Sequence, residues 1–198
     1  MFATERVRLR PPTPDDAPSL FRLQSDPELH LLTDEEAFLP GHAGQVRAQL
    51  EKQVTEPSDG ETTVTLLAET VADGTFLGRG TLWGVNSFNG YGHLGIRLVP
   101  EARGQGYGTE VIQLLCRYGF RNRNLRRLEL EMLASNLAMR RTAEACGFTH
   151  EVTQREREYD GDGFVDLVLY GLLRRDWKPT DRNNSSAQSY RAPGLSGR

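Results

Sequence analysis

Residues 98–108 read Leu-Val-Pro-Glu-Ala-Arg-Gly-Gln-Gly-Tyr-Gly, an apolar run stopped at Pro100 and followed by Arg103-x-x-Gly106-x-Gly108. A helical pattern begins just beyond. Glycines let the backbone fold so tightly that several N–H groups point into one concavity, and an incoming helix adds its own unpaired N–H groups and dipole. Pyrophosphate is a natural occupant of such a concavity, although a glycine-rich turn that merely caps a surface helix carries the same letters. Two better-known phosphate patterns fail on spacing. A P-loop needs a lysine after its last glycine, whereas Gly108 is followed by Thr109. The dinucleotide fingerprint needs a third glycine where Thr109 stands, and it belongs to the first strand–helix unit of a chain. Ahead of the turn, His93, Gly95 and Arg97 share one strand face by the period of two. Imidazole titrates near neutral pH, so His93 is a candidate general base, or else a partly buried histidine bonded within a sheet. Glu131, in Leu-Glu-Leu-Glu-Met-Leu, is the second candidate, or else a solvent-facing or ion-paired strand residue.

These residues need strands and helices to hold them. Alternation in residues 6–10 predicts a first strand. Thr13 as N-cap, Pro14 at the first helical position and two aspartates predict a helix over 13–26. Residues 27–40 are irregular in polarity. Val46, Leu50 and Val54 predict a second helix over 41–54. Residues 62–70 and 75–85 form a hairpin joined at Asp73-Gly74. A loop over 86–92, a strand over 93–99, and the glycine turn with a helix to about Arg121 come next. A strand over 126–133, a helix from Asn136 ended by Gly147 as a left-handed cap, and two final strands joined at "DGDG" complete the series. Together they predict an α/β fold with one mixed, mostly antiparallel sheet of six to seven strands, helices on both faces, and one domain over 1–178. From Pro179 onward, residues 179–198 read as a polar flexible tail without periodicity.

Composition narrows the class of function. The chain has 198 residues, 26% of them charged and 37% hydrophobic, with a net charge of −3. No lysine/arginine cluster rises above that background, which argues against nucleic acid. No apolar window is long enough for a membrane span, and the N-terminus lacks an apolar signal core. Cys116 and Cys146 are too few and wrongly spaced for a disulfide framework or a zinc site, so no metal is expected. A cytoplasmic protein, monomeric or homodimeric, is the expectation.

The run "IRLVPEARGQGYGTEVIQLLCRYGF" resembles the coenzyme-A motif [Arg/Gln]-x-x-Gly-x-[Gly/Ala] of the GNAT superfamily of N-acetyltransferases. Downstream, "ASNLAMRRTAEACGF" is similar to that superfamily's second signature, with Asn136 followed by Gly147-Phe148. The opening "TERVRLRPPTPDDAPSLFRL" and the closing "REREYDGDGFVDLVLYGLLRRDW" resemble the Rim-type branch, which acetylates protein N-termini and related amines. Four matches in order cover roughly residues 4–177.

The resemblance implies a GNAT fold with central strands splayed to hold coenzyme A, and acetyl-CoA as cosubstrate. It implies that Arg103, Gly104, Gln105, Gly106, Tyr107 and Gly108 offer backbone N–H groups to pyrophosphate, with substitution tolerated worst at Gly106 and Gly108. Leu98 and Val99 would pair with the pantetheine arm, and the Leu98 N–H would polarise the thioester carbonyl. Asn136 matches the asparagine that bonds that arm, although it would equally serve as a helix N-cap. Arg141 would reach the phosphates or stay solvated. The acceptor is a primary amine, on a peptide N-terminus or a small molecule, bound by loops around residues 27–40 and 84–92. Trp83 and Phe88 line its pocket or pack in the core. His93 stands where the branch commonly has glutamate. Two departures leave the general acid open: Ala143 replaces a tyrosine, Met139 replaces a serine, and Tyr107 and Cys146 are the remaining donors. A catalytically silent coenzyme-A-binding module is the competing class.

Overall fold

The computed structural model describes residues 2–33, 41–55 and 62–179. Residues 34–40 of the expected acceptor loop, the polar break at 56–61 and the tail beyond Pro179 lie outside these, as does the side chain of Val54. Eight strands form one sheet: β1 Phe2–Ala3, β2 Val7–Arg10, β3 Val64–Thr70, β4 Phe76–Asn86, β5 Tyr91–Leu98, β6 Arg127–Leu133, β7 Thr149–Tyr159 and β8 Phe164–Leu173, in the order β1-β2-β3-β4-β5-β6-β8-β7. The expected six to seven strands become eight because the two-residue β1, too short to show periodicity, pairs with β2. Five helices accompany the sheet among the described residues: α1 Ala17–Gln24, α2 Pro27–Thr33, α3 Ala43–Thr55, α4 Tyr107–Arg117 and α5 Leu137–Ala145. A π-helical turn over Tyr118–Asn122 carries α4 to the expected end near Arg121.

Strand alternation sorts the core onto two faces. Leu67 packs with Ala17, Leu20, Val46 and Leu50 from α1 and α3. Its neighbours Leu66 and Ala68 face the other way, into a larger core with Val111, Leu114 and Leu115 of α4. Arg10 ties α1 to the sheet by bonding Asp16 and Glu69, and the Asp16 carboxyl is held down at about 2, chiefly by the hydrogen bonds from Arg10. Asp16 also accepts from the N–H and hydroxyl of Thr13, so Thr13 caps a 3-10 turn over Pro14–Asp16 rather than the expected α-helix, which starts at Ala17 with Asp16 as its N-cap. The stretch from residue 27, expected to be irregular, is helical as α2 over Pro27–Thr33, because Asp26 accepts from the N–H of Leu29 and starts a turn that Pro27 tolerates at its first position.

One parallel pairing sets up the site. β5 runs antiparallel to β4 from Asn86↔Tyr91 to Gly78↔Leu98, and β6 runs antiparallel to β8 along its whole length. Between β5 and β6 the ladder is parallel and brief: Tyr91↔Arg127, Gly92↔Leu128, His93↔Glu129. Beyond His93 the two strands part, each still held by its outer neighbour.

Candidate active site

The wedge between β5 and β6 opens into a cleft of ≈ 1100 Å³. Leu94, Ile96 and Leu98 line one wall and Leu130, Met132 and Leu133 the other. The backbone of β5 is what makes the wedge usable. Val99 donates its N–H to the Leu77 carbonyl at 3.0 Å. Alternation therefore turns the N–H of Leu98 and Ile96 to the opposite edge, where β6 has left. Val99, expected to pair with the ligand arm, is already committed to β4. Leu98 lines the cleft, and its carbonyl accepts from Arg103 Nε at 3.0 Å.

The glycine turn lies at the open end. A 3-10 turn over Pro100–Ala102 directs the Arg103 N–H onto the Pro100 carbonyl at 3.1 Å, and the Arg103 side chain spans Leu98 and Asp26. Arg103 thus builds the wall and leaves its backbone donor unavailable. From Gly104 to Thr109, among the described residues, no backbone N–H donates to a protein acceptor. These groups belong to the turn and the first turn of α4, where no intrahelical acceptor exists. Gly104 and Gly106 have φ of +72° and +83°, a region that residues with a Cβ seldom adopt. Gly108 has a different constraint. A Cβ there would stand 3.2 Å from Ile96 Cδ1, a tight contact to which the end of the Ile96 side chain would have to yield by a few tenths of an ångström.

Arg6, from the bend before β2, buttresses the turn, a role invisible in the sequence beyond the alternation of Arg6, Arg8 and Arg10. Its guanidinium bonds the Gln105 carbonyl at 3.2 Å, pairs with Glu110 in α4, and lies 4.9 Å over the Tyr107 ring. The Thr4 hydroxyl bonds the other Glu110 oxygen. An unneutralised Glu110 would repel phosphate from the cradle. Arg6→Ala should therefore weaken coenzyme-A binding by roughly three- to thirtyfold, given an effective dielectric near 20 for charges at a protein surface. Adding Glu110→Gln should restore most of it. Calorimetric titration of the single and double variants checks this, and a loss that Glu110→Gln leaves untouched would mean that Arg6 acts on the ligand itself.

The two candidate bases are brought together. Glu131 is among the residues that line the cleft, and His93 stands beside it outside the lining. His93 Nδ1 is 3.4 Å from Glu131 Oε1, and Nε2 is 3.5 Å from Glu129 Oε2. Trp83 stacks on the imidazole at 4.5 Å and itself faces the cleft. The chain continues outward from Glu129 through Arg127 to Glu151 at the surface. Nδ1 is buried without a hydrogen bond. Phe88, by contrast, is 97% exposed at the β4–β5 turn, in neither pocket nor core.

Asn136 is the N-cap of α5: its Oδ1 accepts from the Met139 N–H at 3.1 Å, which leaves the amide donor for a ligand in the cleft it lines. Gly147 at φ +88° and Phe148 close α5, with Phe148 N–H reaching the Ala143 carbonyl. Arg141 is exposed beside the lining residue Thr142 and is not itself in the lining. Ala143 is fully buried. Neither remaining proton donor reaches the cleft. Cys146 bonds the Thr109 carbonyl, with its thiol pushed up to about 12 by burial, and Tyr107 lies under Arg6. Sequence reasoning missed Glu158, Tyr159 and Thr142, all of which line the cleft. Among the described residues no His, Cys, Asp and Glu side chains group as a metal site, and no helix is long and apolar enough to cross a membrane.

The profile of the acetyltransferase (GNAT) domain matches residues 6–149. An uncharacterised N-acetyltransferase, p20 of Bacillus licheniformis, is 24% identical over 174 residues, spanning 88% of this chain and 96% of its own. Among solved structures, the spermidine N-acetyltransferase of Vibrio cholerae in complex with CoA and spermine superposes with a TM-score of 0.77 at 18% identity, over 87% of this chain and 98% of its own. RimL, a ribosomal L7/L12 alpha-N-protein acetyltransferase in complex with coenzyme A, gives 0.74 at 19% identity, over 86% and 95%. At that identity the two structures establish a shared fold.

Proposed function

Because the chain belongs to the GNAT acetyltransferases, we propose that it is of the Rim-type branch its motifs resemble and that this cleft transfers acetyl from acetyl-CoA to a primary amine by direct attack, with both substrates bound together. The observation that carries the proposal is the pairing of an open β5 edge with a row of acceptorless N–H groups at its end. An extended amide-bearing arm fits the edge, and a diphosphate fits the row. Bound acetyl-CoA would supply the activated acetyl group. Everything else falls to this chain's residues. The N–H groups of Gly104 to Gly108 hold the phosphates, Asn136 holds the arm through its free amide donor, and the Leu98 N–H is aimed where a carbonyl gains negative charge. On the acceptor side Glu131 takes the ammonium proton, directly or through water. His93 stands behind it to receive that proton or to fix the carboxylate, and Glu129 continues the path outward.

Acetyl-CoA should raise the melting temperature, since a ligand at a hundred times its dissociation constant adds about 2.7 kcal/mol. Thiol release with a panel of N-terminal peptides and small amines then tests transfer. No thermal shift with folded protein removes the cofactor proposal. A shift without thiol release from any amine identifies a silent coenzyme-A-binding module instead.

A further inference from the structure

On the acceptor side of the cleft, a second carboxylate stands apart from the reacting one. Glu158 lines the cleft, its side chain is 16% exposed, and its Oε1 is buried with no hydrogen bond. Arg157, half exposed, comes within 3.5 Å of that oxygen without bonding geometry. A buried carboxylate oxygen lacking a donor is costly and calls for an explanation.

The fold goes out of its way to place it. β7 and β8 pair at Gln154↔Leu167 and resume at Glu158↔Val165, so β7 carries two extra residues where regular pairing would have put Glu156 opposite Val165. Glu156 takes φ +49° and donates its N–H to Asp166 Oδ1 at 3.0 Å, which pins the bulge. Bulges of this kind re-aim side chains beside active sites. Next to Glu158 stand the Tyr159 ring, 56% exposed, and Leu31, both in the lining. Carboxylate, aromatic face and apolar surface together suit an organic cation. Arg79 and Arg97 line the same cleft, and both already have partners in the fold.

Glu131 and Glu158 share one sheet face. Glu131 pairs with Leu169 and Glu158 with Val165, four residues and two strand spacings apart. Strand geometry makes that about 17 Å between Cα atoms, too far for one ammonium to touch both carboxylates. We propose that Glu158 is a specificity-determining residue that binds a second cationic nitrogen of the acceptor, remote from the amine that is acetylated. This rests on the acetyl-transfer reading above, because it takes Glu131 to mark the reacting end. The ligand class is a long polycation, with a free aliphatic polyamine and a peptide bearing lysine near its N-terminus as the two sources of the same chemistry.

The test uses the full chain saturated with coenzyme A. Binding of α,ω-diaminoalkanes of increasing length is measured by calorimetry against alkylamines of matching length, for wild type, Glu158→Gln and Glu158→Asp. Wild type should prefer the long diamines by about tenfold or more, the effect expected of one desolvated charge-assisted bond. Glu158→Gln should abolish that preference while binding the monoamines unchanged, and Glu158→Asp should keep part of it. Lysine-bearing peptides against their norleucine counterparts form a second arm, and the arm with the larger dependence on Glu158 names the source. No diamine or lysine preference in wild type, or an equal loss for mono- and dications in Glu158→Gln, overturns the proposal. The binding readout does not need turnover, so absence of thiol release with every amine would count against acetyl transfer alone.

Discussion

Glu131→Gln is expected to lower turnover by about 10²–10⁴-fold, the usual contribution of a general base. Coenzyme-A affinity should stay within twofold or so of wild type, because no contact to the N–H cradle changes. The reasoning is positional. An ammonium cannot attack until it loses a proton, and Glu131 is the candidate base that lines the cleft, whereas His93 is stacked on Trp83 beside Glu131 and outside the lining. His93→Ala should cost less than Glu131→Gln, and should shift the acidic limb of the pH–rate profile by removing the group 3.4 Å behind the carboxylate. Steady-state kinetics across pH on both variants check the order. The reverse order would make His93 the base, and two silent variants would leave deprotonation to solvent, with the protein supplying proximity and the carbonyl contact.

Gly106→Asn should raise the coenzyme-A dissociation constant by about 10- to 100-fold, equivalent to one or two lost charge-assisted bonds. Asparagine is chosen because it tolerates a left-handed backbone, while valine at φ +83° would be strained whatever the ligand does. A side chain here enters a space bounded by Arg6, whose Nη2 lies 3.2 Å from the position of the new Cβ. The melting temperature of the ligand-free variant should drop little, and the stabilisation given by acetyl-CoA should shrink. Equal stabilisation of variant and wild type would reduce the turn to a helix cap.

Much of this was legible because local rules and tertiary demands agree in this chain. Gly104, Gly106 and the Gly147 terminator take left-handed backbone that few residues adopt, and the Asn136 cap needs a short side-chain acceptor, so the letters carry the geometry. The face shared by His93 and Gly95 followed from strand period alone. What stayed hidden depends on register between distant strands. Nothing near His93 says that Glu131 and Glu129 flank its ring, since that neighbourhood comes from His93↔Glu129 pairing. Arg103 reads as the first residue of a phosphate motif, yet its N–H is consumed by a 3-10 turn set by Pro100. Gly108 reads as a phosphate glycine, and its close approach to Ile96 is not visible in the letters. The bulge that presents Glu158 has no signature in "TQREREYDGDGF", because Arg155-Glu156-Arg157-Glu158 alternates charge and reads the same when shifted by two residues. α2 was obscured by mixed polarity, which a short helix over the cleft mouth can tolerate.

The two ends of the sheet also bear on how the protein meets other chains. β7 is an outer strand of eleven residues, almost wholly exposed, and such strands are templates for intermolecular pairing. Here two interruptions of register break its ladder, and Glu151, Arg155, Glu156 and Arg157 crowd it with charge of both signs. At the far end β1 offers only two residues. A neighbouring strand finds no continuous run to add to on either side. The open backbone edge of β5 is of another kind, since it lies inside the sheet with β6 standing across from it. A slim extended ligand can slide into that gap and a folded neighbour cannot, so the molecule keeps a reactive edge exposed to small partners without inviting aggregation.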